Sequence, residues 1–141
     1  VISGHKSAVA RAVELAKERG AKRAVLLPVS APFHCSLMAP AAEVMKEALA
    51  EATIMAPLVP IVANVKAEAV SDPHEIRELL IHQITGSVGW RESVMWMAQN
   101  GVTEIWEIGA GKALSGMVRR IERAIDCKNI ATPDDICALR N

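Results

Sequence analysis

The sequence has no tyrosine, one phenylalanine and three tryptophans in 141 residues. A core built on large rings is therefore excluded. The 51% of residues that are apolar must bury as Ala, Val, Ile and Met, a composition that suits helices packed on a sheet. Neither charge is in excess, since sixteen Lys and Arg balance sixteen Asp and Glu. That removes the basic footprint of a nucleic-acid binder. Only three cysteines occur, Cys35, Cys127 and Cys137, with no CxxC pair. An odd count without pairing excludes a disulfide framework and a four-thiolate zinc site, and points to a reducing compartment. No apolar run approaches the roughly 20 residues of a membrane span, and no basic-then-apolar leader opens the chain, so a soluble cytoplasmic protein with no membrane partner is expected. The length suits one domain that buries roughly two thirds of its unfolded surface. The first residue, Val1, already lies in a strand-like run, so the sequence reads as a piece of a longer chain.

Apolar spacing sets out the elements. Val1 to Ser3 reads as a strand. Lys6 to Arg19 reads as a helix with the stripe Val9, Ala12, Val13 and Ala16, closed by Gly20. Arg23 to Val29 reads as a strand, and a helix near Pro40 carries Ala41, Met45, Ala48, Leu49 and Ala52 as its buried stripe. Pro60 to Val65 is strand-like. Asp72-Pro73-His74-Glu75 is a helix start with its cap, its proline and its acidic third residue in place, and the helix turns Ile76, Leu79, Leu80 and Ile84 inward. A helix over Trp90 to Asn100, a strand over Thr103 to Ile108, a helix from Lys112 to about Asp126 and a new start at Thr132-Pro133 complete the pattern. Strands alternating with helices, without an Asn-Gly hairpin signal, imply an α/β fold containing parallel pairs.

Within this frame, Pro28-Val29-Ser30-Ala31-Pro32-Phe33-His34-Cys35-Ser36-Leu37-Met38 holds an imidazole between two prolines. Pro28 ends the strand's ladder and Pro32 biases Ala31 towards extended backbone, leaving Phe33 and His34 on a stiff corner. A general base needs one ring nitrogen anchored and the other open, which such a corner provides; a histidine that only satisfies the turn is the structural reading. Gln83 shares the inward face of Ile76, Leu80 and Ile84, so its amide needs partners, either at a site or on nearby backbone. Cys35 is expected to be a small buried thiol, because sequence neighbours point apart and a dyad with His34 is awkward. His5, His74 and His82 read as solvated, and no HxxxH spacing suggests a metal. Glu107-Ile108-Gly109-Ala110-Gly111-Lys112 meets neither phosphate-loop pattern and reads as a tight strand-to-helix turn. No serine lies in a GxSxG elbow.

Taken together, Val29 to Met38, Ile61-Val62-Ala63-Asn64-Val65, Gln83, Trp90-Arg91-Glu92-Ser93-Val94 and Glu107 to Met117 closely resemble the carboxy-terminal half of the bacterial malonyl-CoA:acyl carrier protein transacylases. The likeness runs from Val1 to Arg123, with Ala110 where many relatives carry proline. The resemblance implies a partial α/β-hydrolase-like large subdomain over residues 31–141 and the second half of a ferredoxin-like small subdomain over residues 1–30. It implies ping-pong malonyl transfer in fatty-acid biosynthesis, with malonyl-CoA as substrate, no bound cofactor and no metal. His34 matches the catalytic histidine, and Gln83 the residue whose main-chain carbonyl orients it. Phe33 and Val29 match positions of the acyl pocket. Lys112, Arg119, Arg120 and Arg123 are expected on one helix as contacts for the acidic acyl carrier protein, or as an ordinary solvated face. The nucleophilic serine belongs to the amino-terminal half, the further partner this reading requires, so the polypeptide is expected to be inactive without it. A non-catalytic α/β interaction module and a serine or thiol hydrolase on a related fold are the competing readings.

Overall fold

The computed structural model describes residues 1–139 and divides the chain into two compact units, Val1–Val88 and the part from Gly89 onward. The architecture is mixed helix and strand, as the alternating pattern implies.

In the first unit, α1 (Lys6–Glu18) half-buries Val9, Ala12, Val13 and Ala16, and the chain leaves it at Gly20 with φ +83°. This left-handed geometry carries no Cβ penalty at glycine. A single 3₁₀ turn, Ser36–Met38, leads into α2 (Ala39–Glu51), which has Pro40 in its first turn. Then come β1 (Ile61–Val62), β2 (Ala69–Val70) and α3 (Pro73–Thr85). α3 starts as its sequence demands, with the Asp72 carboxylate accepting the Glu75 N–H at 2.8 Å, which satisfies one of the helix's orphan donors. Ile76 is buried, with Leu79, Leu80 and Ile84 half-buried on the same side.

Some expectations fail in this unit. Val1 to Ser3 and Arg23 to Val29 are not strands: neither has a ladder partner among the described residues, and Val25, Leu26 and Leu27 are 57, 67 and 53% exposed. An extended run becomes a strand only when a neighbour takes its backbone groups. The buried residue of α2 is Ala42, with Leu49 half-buried, while Ala41, Met45, Ala48 and Ala52 are exposed. The helix has apolar residues on more than one side, and periodicity alone does not choose between them. Finally, β1 and β2 form an antiparallel hairpin that the sequence did not announce. Its turn places Ala67 at φ 56°, where an Asn or Gly would have been the usual signal.

The second unit is a βαβ unit. α4 (Trp90–Gln99) ends before Gly101, β3 spans Glu104–Ile108, α5 Ala113–Ile121, β4 Asp126–Ile130 and α6 Pro133–Ala138. β3 and β4 pair in parallel, Glu104 opposite Asp126 through Ile108 opposite Ile130, and α5 is the crossover that parallel strands require. Val94, Val118, Ile125 and Cys127 form its core, packed by Trp90, Met97, Ala98, Ile105 and Ile121. α5 is shorter than expected, because Asp126 begins a strand that polar Lys128 and Asn129 concealed. At α6 the Thr132 hydroxyl and Asp135 carboxylate cap each other's backbone reciprocally. No described helix is long and apolar enough to cross a membrane.

Candidate functional site

The candidate site lies in the first unit and is made by a turn meeting the end of a helix. His34 has φ 60°, a left-handed backbone uncommon outside glycine and maintained only where the surroundings over-determine it. Two contacts do so. Its Nδ1 lies 2.8 Å from the main-chain oxygen of Gln83. The next residue, Cys35, donates its thiol to the Pro32 carbonyl at 3.1 Å, closing the turn on itself.

The Gln83 carbonyl can serve because of where it sits. α3 ends at Thr85, so the carbonyls of its last turn have no intrahelical donor. Of these, His82 O accepts the Gly86 N–H at 2.9 Å, whereas Gln83 O accepts from the imidazole. With a carbonyl as partner, Nδ1 must carry the proton. That leaves Nε2 as the lone-pair nitrogen, on an exposed ring, with no hydrogen bond among the described residues. This is the arrangement a general base requires: one nitrogen anchored, the other open.

The Gln83 side chain is half-buried, and its Oε1 accepts from the Asn64 amide at 3.0 Å. Asn64 therefore belongs to this constellation, although in sequence it stands out only as part of the Ile61–Val65 motif. A buried-side glutamine was the available signal, because it required a partner. Cys35 is half-buried rather than buried, since its thiol is drawn towards Pro32. Phe33 immediately precedes the histidine and Val29 lies five residues before it, and they are 45% and 60% exposed.

The other expected contact residues lie in the second unit. Lys112 is the residue before α5, Arg119 and Arg120 are in its last turn, and all are exposed. Arg123 is exposed but lies beyond the helix, which ends at Ile121, so the four do not share one helix. Arg119 donates to the Cys127 carbonyl at 3.4 Å, and with Arg123, Ala124, Ile125 and Asp126 it lines an open cavity of about 490 Å³.

The glycine turn after β3 is explained by a carboxylate. Gly109 and Gly111 have φ 129° and 97°, and the chain then enters α5, whose first free N–H groups are taken internally. Glu107 accepts from Leu114 N at 3.1 Å, from Ser115 N at 2.8 Å, from the Ser115 hydroxyl at 2.6 Å and from Asn129 at 3.0 Å. The Ser115 hydroxyl and backbone donors hold its carboxyl down to about 2. An internal anion thus fills the position a phosphate would take at a helix N-terminus, which agrees with the failed phosphate-loop pattern.

Sequence and structure comparisons agree on the relatives. No family model matches the chain. The malonyl CoA-acyl carrier protein transacylase of Escherichia coli K12 is 43% identical over 138 residues, 98% of this chain and 45% of that protein. The crystal structure of an acyl-carrier-protein S-malonyltransferase from Bartonella henselae is 51% identical, with a TM-score of 0.90 over 97% of this chain and 44% of that one. A malonyl-transacylase solved in complex with a type II PKS acyl-carrier protein is 37% identical, with a TM-score of 0.90 over 98% of this chain and 45% of that one. The chain spans a little under half the length of these relatives, and over nearly all of its own length it is their homologue.

Proposed function

We propose that this chain, homologous to the malonyl CoA-acyl carrier protein transacylases, supplies the general base and part of the acyl pocket for malonyl transfer from coenzyme A to acyl carrier protein in fatty-acid biosynthesis. The observation that carries the reading is the exposed His34 imidazole tied through Nδ1 to the Gln83 carbonyl. The nucleophile is a serine hydroxyl on the amino-terminal half of the enzyme. As its Oγ attacks the malonyl thioester carbonyl, Nε2 of His34 takes the hydroxyl proton. Collapse of the tetrahedral intermediate breaks the C–S bond, and the imidazolium gives that proton to the coenzyme A sulfur. In the second half-reaction the pantetheine thiol of the carrier gives its proton to Nε2 and attacks the acyl-serine carbonyl, the ester C–O bond breaks as the tetrahedral intermediate collapses, and the proton returns to Oγ. Gln83 plays the part that a carboxylate plays in a Ser-His-Asp triad, fixing tautomer and ring orientation. Coenzyme A carries the donor group, so no bound cofactor or metal takes part.

Phe33 and Val29 line the acyl pocket, and Lys112, Arg119, Arg120 and Arg123 meet the acidic carrier protein. Residues 1–30 complete a small ferredoxin-like subdomain and residues 31–141 belong to the large one, positions 140 and 141 lying outside the described residues. The enzyme works in the cytoplasm, and without the serine-bearing half this polypeptide is inactive.

In the enzyme assembled with that half, His34→Ala lowers radiolabelled malonyl transfer to the carrier by ~10²–10⁴-fold. Undiminished transfer would overturn the role of His34, and release of free malonate at the same rate without carrier would make the protein a hydrolase instead. Phe33→Ser relaxes discrimination against methylmalonyl-CoA by about 1–3 kcal/mol, read from competition between the two donors; unchanged selectivity removes Phe33 from the pocket.

A further inference from the structure

The residue whose carbonyl meets His34 is tied through its side chain to the turn of the β1–β2 hairpin. The turn of that hairpin is bonded internally, with Ala63 O accepting from Lys66 and Ala67 and Ala63 N–H donating to Glu68 O. This turn contacts α3 at two places. Near the helix start, Lys66 Nζ pairs with Glu75 at 2.6 Å. Near the helix end, Asn64 Nδ2 donates to Gln83 Oε1 at 3.0 Å. Just beyond, a Cβ on Gly86 would lie 2.9 Å from His82 O and 3.0 Å from Val65 Cγ1; at these separations the neighbours would have to move, so the hairpin is seated directly on the helix terminus.

We propose that Asn64 is a positioning residue for the acyl transfer, holding the last turn of α3 so that the Gln83 carbonyl meets His34 Nδ1. Helix ends fray, and an unpaired last-turn carbonyl is free to tilt. The imidazole has no other hydrogen bond among the described residues, so a tilt of that carbonyl passes directly into the orientation of Nε2. One hydrogen bond, donated by the Asn64 amide to the side chain of the same residue that supplies the carbonyl, prevents this. Among the three hairpin contacts only this one grips Gln83 itself. Lys66–Glu75 is an exposed ion pair of small worth, and Gly86 supplies clearance rather than a bond.

The inference rests on the proposed role of His34, and its test separates the two. In the enzyme assembled with its serine-bearing half, kcat per acylatable site and KM for malonyl-CoA are measured for Asn64→Ala, Gln83→Met, the double variant and Asn64→Asp. Gln83→Met retains the main-chain carbonyl and removes only the amide that Asn64 grips. Asn64→Ala and Gln83→Met are each expected to lower kcat by roughly 10- to 100-fold with KM within about twofold. The double variant should be no worse than either single, because both break one link. Asn64→Asp should recover most of the rate, since the Gln83 amide can turn its NH₂ towards the carboxylate. Wild-type kcat in Asn64→Ala, multiplicative losses in the double variant, or a loss carried by KM would each overturn the proposal. If Asn64→Ala does not fold, Gln83→Met decides alone: a wild-type kcat refutes and a reduced one supports. If instead His34→Ala transfers malonyl normally, it is the general-base reading that falls.

Discussion

The two units solve the problem of holding a shape in different ways. From Gly89 onward, apolar burial does it: Val94 and Val118 are 0% exposed, and Ile125 and Cys127 are buried around them. In Val1–Val88 the buried apolar residues are few, Ala42, Val70 and Ile76, while Val25, Leu26, Leu27, Leu58 and Val59 are exposed. Alongside half-buried Leu79, Leu80 and Ile84 this unit carries scattered single polar contacts, His34 to Gln83, Asn64 to Gln83, and Arg77 to the Ala52 carbonyl. The proposed base sits in the unit with fewer buried apolar residues, and a hydrogen bond orients its ring. Such bonds are directional where apolar contacts are not, and a catalytic ring must be held to a small angle, so the placement makes physical sense.

The contrast is sharpened by truncating one aliphatic side chain in each unit. Val118→Ala opens a space in a closed core and is expected to cost about 2 kcal/mol in denaturant unfolding. Leu26→Ala removes more atoms from the other unit, yet should change stability by no more than about 0.5 kcal/mol, because that side chain is already in water. Equal costs would mean that the first unit has a core of its own around Leu26.

A smaller effect separates the units by pH. In the second, the Glu107 carboxyl is held at about 2 by Ser115, Leu114 and Asn129. Glu104 is lowered by hydrogen bonds from Lys128 and Trp106, and Asp135 by the Ala131 and Thr132 donors. A depressed carboxyl stabilises fully above its unfolded value near 4.5, and that contribution fades as pH falls towards 2. In the first unit the shift is Lys66, raised by its bond to Glu75, whose contribution is complete below 10.5 and is lost only as pH climbs through the raised value. All three tryptophans, Trp90, Trp96 and Trp106, lie in the second unit. Their emission should therefore report a melting midpoint that drops between pH 5 and pH 2, and Glu107→Gln should flatten part of that drop. An acid profile identical in the variant would show that the Glu107 clasp does not stabilise the turn.

Sequence patterns were informative where local chemistry decides. Asp72-Pro73 and Thr132-Pro133 start helices at those residues, because a cap is a contact between near neighbours. Gly20 and Gly101 follow helices with positive φ for the same reason. The parallel pair was foreseeable from a strand, a helix and the need for a crossover, although β4 itself was hidden by Lys128 and Asn129. Long-range partners were not legible. Arg23 to Val29 has strand chemistry but no partner to pair with, and Asn64 meets Gln83 nineteen positions away through a hairpin whose turn uses Ala67 in place of a telling residue. His34 was found from its prolines, yet what holds it is a carbonyl forty-nine positions on. From the residues alone only an anchored base was legible; the likeness to known enzymes supplied the residue that anchors it.

The central claim is that His34 keeps its proton on Nδ1, bound to the Gln83 carbonyl, and offers Nε2 as the base. Nitrogen-15 NMR of the His34 ring in the assembled enzyme, at a pH where the imidazole is neutral, tests it directly. The account predicts a pyrrole-type, proton-bearing Nδ1 and a lone-pair Nε2. A proton found on Nε2 would contradict it, for the ring would then have no base to offer the hydroxyl.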